Sequence, residues 1–167
     1  AKNLGVPAEA LPQLYQGTDR GWFEDVTDQF HLLHPTAPMG SNFGDFDNDG
    51  FLDFYLGTGN PDLWNIMPGM MYRNQGGNKF SEVSYSGGFA HLQKGHAVCF
   101  ADFDNDGDQD VFEQMGGAFP ADRYNNVLYQ NDGFGNNWLT VQLIGTVSNR
   151  SAIGARIHLK VVENGQP

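Results

Sequence analysis

The chain has 167 residues, of which 17 % are charged and 13 % aromatic, with 22 glycines. That composition suits one ordinary domain rich in tight turns and excludes an intrinsically disordered segment. The formal net charge is −11, from 20 acidic against 9 basic side chains, so a nucleic-acid partner, which needs clustered Lys and Arg, is not expected. No apolar run reaches the ~18 residues of a membrane-spanning helix. The lone Cys99, in an apolar run, allows no intrachain disulfide and reads as a small buried side chain.

In chain order, the first recognisable pattern is a turn at residues 17–21 leading into Trp22 and Phe23. Residues 41–44 then read as a strand, followed by an acidic loop over 45–53 and a second strand over 51–56. A turn at 74–78 precedes an alternating strand at 79–83. The same order returns with a strand at 98–101, an acidic loop over 102–110 and a strand at 109–112. Tyr15, Tyr72 and Tyr129 are spaced 57 residues apart, and this offset carries Phe23 to Phe80, Val26 to Val83, His34 to His91 and Asn74 to Asn131. It also superposes the acidic loops without a gap. No segment shows helical periodicity, so the expected fold class is all-β, with two to three β-propeller-type blades of internal period 57. A closed propeller needs about 4 to 8 blades. The chain is therefore expected to be a piece of a longer protein, with contacts to neighbouring blades that lie beyond it.

The two loops hold nine of the acidic residues: Asp45, Asp47, Asp49 and Asp53, then Asp102, Asp104, Asp106, Asp108 and Asp110. Carboxylates at loop positions 1, 3, 5 and 9, with glycine at position 6 (Gly50, Gly107), form a cage of hard oxygen donors around a sharp turn. The position-7 residues, Phe51 and Asp108, add a backbone carbonyl. Oxygen-only ligation argues against zinc and copper, and a flexible site of 6–8 oxygens suits Ca2+ better than magnesium. Two Ca2+ sites are expected. Glu113 stands where a helix–loop–helix calcium site would place its last ligand. The flanks are not helical, however, and Leu56 occupies that position in the first loop, so position 9 is the expected last ligand.

Residues 43–50 and 100–107 resemble FG-GAP (VCBS-type) repeats, the calcium-binding blades of integrin α-subunit propellers and many secreted bacterial proteins. The resemblance covers residues 14–135 and implies that these aspartates hold calcium in a β-hairpin loop. It further implies that the ion is structural and that binding surfaces lie on other loops.

After Asn131 the repeat is lost. Residues 138–143 and 155–161 alternate apolar and polar side chains and are expected to form a β-hairpin of a second β domain. Residues 136–139, 148–150 and 153–156 resemble the start of an ASPIC/UnbV domain, which follows FG-GAP-like repeats in cartilage acidic protein and its bacterial relatives. The expected division is 1–135 for the repeat blades and 136–167 for the second unit.

His31 and His34, with His91 or His96, could be imagined as a zinc site. The repeat equivalence of His34 and His91 argues instead for a shared structural role. Residues 60–70 and 117–126 differ most between the repeats. Trp64, Phe119 and Tyr124 there could face a partner or a sugar ring, or simply cover the blade edge. No Ser/His/Asp or Cys/His set stands out, so an enzyme is not expected. Residues 149–151 form a glycosylation sequon, relevant only in a eukaryote. The expected function is a calcium-binding extracellular adhesion or ligand-recognition module with an unknown protein or glycan ligand and no membrane insertion. Its expected location is secreted, periplasmic or at the cell surface. The alternatives are a non-catalytic scaffold part of a secreted enzyme or biosynthetic complex, and a carbohydrate-binding lectin.

Overall fold

The structure, a computed structural model, describes residues 11–59, 66–117, 119–147 and 149–160. Among these, nine strands form three antiparallel sheets and there is no helix. Strands β1 (Tyr15–Gly17) and β2 (Phe23–Asp25) pair as a hairpin. Strands β3 (Pro38–Gly44), β4 (Asp53–Thr58), β5 (Met70–Asn74) and β6 (Phe80–Glu82) form a four-stranded meander in sequence order. Strands β7 (Gly95–Ala101), β8 (Asp110–Met115) and β9 (Val127–Tyr129) form the third sheet. The 57-residue offset carries β3 onto β7 and β4 onto β8, and carries β2 onto β6. The middle sheet is thus one complete propeller-type blade. The hairpin β1–β2 matches the outer half of a preceding blade, and β7–β9 the inner three strands of the next.

Strand β4 shows why the central strands read as near-continuous apolar runs. Successive side chains on a strand point to opposite faces. Leu56 therefore joins Tyr72 of β5 and Val26, Phe30 and Leu32 of the preceding unit in one core cluster, with Phe54 and Met70 packed against it. Tyr55 points the other way and meets Met71, Phe46, Val98 and Val111 in a second cluster, with Phe89, Phe100 and Tyr129 at its margin. Burying one such side chain is worth roughly 1.5–3 kcal/mol, so a blade covered on both faces is held mainly by its neighbours. The alternation also places Cys99: Val98 and Phe100 face the core, and the thiol between them is exposed rather than buried.

The repeat extends to the connections. Thr27 Oγ1 accepts the Leu14 N–H at 2.8 Å, and Ser84 Oγ accepts the Met71 N–H at 2.9 Å, one period later. The His34 N–H donates to Leu32 O and the His91 N–H to Phe89 O, both at 2.8 Å. These two histidines thus share a backbone role. Among the described residues no histidine belongs to a metal-ligand grouping.

The hairpin expected after the repeat is not formed: residues 138–147 and 149–160 carry no strand, and residue 161 lies outside the described residues. Alternation assigns faces, but a strand also needs a neighbouring edge to supply its ladder bonds. Here the described backbone bonds are turn bonds, such as Gly145 N–H to Arg150 O at 3.0 Å. Leu139, Ile157 and Leu159 consequently stay exposed.

Candidate metal centre

Both acidic loops are built the same way. The Asp45 carboxylate accepts the N–H groups of Asp49 at 3.0 Å and Gly50 at 2.9 Å, folding the loop back on its first residue. Asp102 does the same for Asp106 and Gly107, both at 3.1 Å. Asn48 and Asn105 sit at φ 54° and 63°, and Gly50 and Gly107 at 89° and 96°. The left-handed backbone that curls each loop explains why Asn precedes the third Asp and Gly follows it. Asp49 and Asp106 each accept the N–H two residues on, from Phe51 at 2.9 Å and Asp108 at 3.0 Å.

The structure brings Asp45, Asp47 and Asp49 together with ligand oxygens within 4.8 Å of one another, and does the same for Asp102, Asp104 and Asp106. Asp53 and Asp110 stand apart from these groupings. Each is fully buried and spends both oxygens on backbone donors. Asp53 accepts from Phe46 at 3.0 Å and Asn74 at 2.7 Å; Asp110 accepts from Phe103 at 3.0 Å and Asn131 at 2.8 Å. Phe51 contributes no side-chain ligand, and its ring packs over Gly77. Asp108 turns toward the other loop, where its Oδ1 accepts Asn48 Nδ2 at 2.6 Å.

Asp47 is the most unusual member. Its side chain is inaccessible to solvent, and its Oδ1 has no hydrogen-bond partner. Arg73 Nη2 lies 2.5 Å from Oδ2 as an ion pair, and the Arg73 side chain is 39 % exposed. Burial pushes the Asp47 carboxyl above its ordinary range; Arg73 opposes that shift, while Asp49 and Asp45 add to it. Burial likewise drives Asp53 up to about 7, against the pull of its two backbone donors. At Asp106 the Asp108 N–H favours the ionised form, yet desolvation and Asp104, Asp108 and Asp102 together carry it upward. A buried carboxylate with one oxygen unpartnered, beside two more carboxylates, is an arrangement that a hard cation would complete.

Residues 57–113 match the family model described as FG-GAP-like repeat. That stretch is one period of the internal repeat, running from the end of β4 through the second acidic loop into β8. No curated protein gives a significant match to the chain.

Several contacts around the loops had no signal in the sequence pattern. Asn131 Nδ2 donates to Phe46 O and Asn136 Nδ2 to Asp47 O, both at 2.6 Å, so the stretch after β9 is stitched onto the first loop. Trp138 covers Gly107 of the second. Gln109 Oε1 accepts the Asp45 N–H at 2.9 Å, linking the loops directly. On the variable segments, Trp64 lies outside the described residues. Phe119 and Tyr124 are exposed, with Tyr124 edge-on to His91 at 5.0 Å.

Proposed function

We propose that the chain is a calcium-stabilised, non-catalytic recognition module from the secreted, periplasmic or cell-surface environment. In this reading one Ca2+ sits in each acidic loop and the variable loops face a protein or glycan partner. The observation that carries it is Asp47: a fully buried carboxylate, paired with Arg73 through Oδ2 but with Oδ1 unpartnered, and grouped with Asp45 and Asp49. Asp45, Asp47 and Asp49 would hold the first ion and Asp102, Asp104 and Asp106 the second. Asp53 and Asp110 brace each loop from behind. The FG-GAP-like match supports the same reading, since such blades characteristically work outside the cell, where modules need only ~10⁻⁴–10⁻³ M affinity. The exposed rings of Phe119 and Tyr124 support placing recognition on the 117–126 loop. The stretch from residue 136 fits this reading as the entry to an ASPIC/UnbV-like unit.

Thermal melts with calcium, magnesium or chelator test the proposal. A ligand that binds only the native state stabilises it by about 2.7 kcal/mol at a hundredfold excess over Kd. A calcium-selective rise in Tm is expected, reduced in Asp47→Ala and in Asp104→Ala. Equal melts in all three solutions would refute it.

A further inference from the structure

The two loops share a backbone but differ in the residue that covers the third-position carboxylate. Over the first loop, Arg73 Nη2 contacts Asp47 Oδ2 at 2.5 Å. One period later that place is taken by Gln130, whose Nε2 donates to Asp104 Oδ2 at 2.6 Å. The register leaves no ambiguity: Arg73 and Gln130 follow Tyr72 and Tyr129, which are repeat equivalents. Each site groups three carboxylates, and only the first has a cation in contact with one of them.

Resting on the calcium reading above, we propose that Arg73 is an affinity-determining residue that makes the first loop the weaker calcium site. The second loop therefore fills first as calcium rises. The guanidinium neutralises part of the charge that would attract a divalent ion. If it stays, it repels the ion; if it leaves, binding must break the Asp47 contact and rehydrate a half-buried arginine. Calcium loops tune affinity through just such changes in ligand charge. Gln130 presents a neutral amide that satisfies Asp104 with no opposing charge. Arg73 thus acts as a built-in counter-ion, giving the buried Asp47 a partner at low calcium, whereas the second loop has no such substitute.

Calcium titration calorimetry on the full chain after chelator treatment tests this. The wild-type chain should show two sites separated by at least about tenfold. Asp102→Asn should remove the tighter and Asp45→Asn the weaker. Arg73→Gln should tighten the first loop by about tenfold or more, while Arg73→Lys, which keeps the charge, should leave it weak. Gln130→Arg should weaken the second loop. Circular dichroism of each variant confirms that it is folded. Two equal sites in the wild type, or no gain in folded Arg73→Gln, would overturn the inference and leave the calcium reading intact. No calcium heat in any of the proteins, with melts unmoved by calcium, would overturn both.

Discussion

Asp53 Oδ1 accepts the backbone N–H of Asn74 at 2.7 Å, binding the last residue of the acidic loop to the end of strand β5. The other oxygen holds the Phe46 N–H at 3.0 Å, at the start of the loop, and Asp110 repeats the pair on Phe103 and Asn131. The ninth position therefore pins the start of each loop to the strand end opposite it. Asn in its place keeps one acceptor and turns an NH2 toward a backbone donor. In chelator, Asp53→Asn should lower stability by about 1 kcal/mol, the scale of one buried backbone N–H left without an acceptor. Asp49→Asn retains the Oδ1 acceptor for Phe51 and removes a like charge, so it should be neutral or slightly stabilising under the same conditions. Urea denaturation compares them. Equal effects would mean that Asp53 serves only as a ligand.

The loops should also support each other. Asn48 Nδ2 donates to Asp108 Oδ1 at 2.6 Å and Gly107 O at 3.2 Å, both in the other loop. Asn48→Gly keeps the left-handed backbone and deletes only the bridge, so a loss of about 1 kcal/mol is expected in a chemical melt. Its repeat partner Asn105 has the same backbone but makes no side-chain bridge among the described residues, and Asn105→Gly is the control that should cost little. A larger loss at Asn105 would contradict the cross-loop assignment.

The repeat made much of this fold legible before any coordinates. The 57-residue period located the inner strands and both acidic loops, because turn residues and carboxylates are spelled out locally. Strands β5 and β9 gave weaker signals: Met70–Asn74 carries no alternation, since Met70 and Tyr72 face one core and Met71 the other. The backbone bonds of Asp53 were out of reach of the sequence for a related reason. Spacing shows that four carboxylates share a loop, but which oxygen takes a backbone N–H is set by the strand on the far side. Arg73 was invisible as well, lying 26 residues from Asp47 and brought there only by pairing β5 with β4. The alternation at 138–143 and 155–160, which forms no strand, belongs with these, as a pattern without a partner edge.

Where the inner strands of adjacent sheets meet, β3 and β7 approach without room for side chains. A Cβ at Gly40 would fall within the radius of the His96 carbonyl oxygen, and one at Gly57 would crowd Gly95 and His96 backbone. Neither glycine has a positive φ, so the requirement is space and not backbone freedom. Gly40→Ala must push two backbones apart, and a loss of roughly 2–3 kcal/mol is expected. Gly21→Ala is a contrasting case, because its Cβ would meet open space and its φ of 79° is the only obstacle; its cost should be about 1 kcal/mol. Melting both variants beside the wild type orders the two effects. Equal losses would show that the sheets can slide apart.

Glu113 gives the second interface a pH dependence. It is buried on β8, and Tyr55 Oη, 2.8 Å from its Oε2, also lies 3.0 Å from Phe89 O. The single Tyr55 proton cannot serve both acceptors. If Glu113 is protonated it donates to Tyr55 Oη, freeing that hydroxyl to donate to Phe89. Burial accordingly raises the Glu113 carboxyl from 4.5 to about 7, opposed by the Tyr55 hydrogen bond. A carboxyl raised in the folded state favours folding fully below its unfolded value. That contribution is lost as pH climbs through the folded value, because the unfolded chain ionises first. Glu113→Gln, a neutral isostere with a donor for Tyr55, should match the wild type below pH 4.5 and exceed it above about 7. The gap should reach on the order of 3 kcal/mol at its plateau. Urea denaturation of both proteins across this range reads the difference directly, and the aspartate titrations common to both largely cancel. A gap that stays constant with pH would mean that Glu113 is ionised in the folded interface and that its partner lies elsewhere.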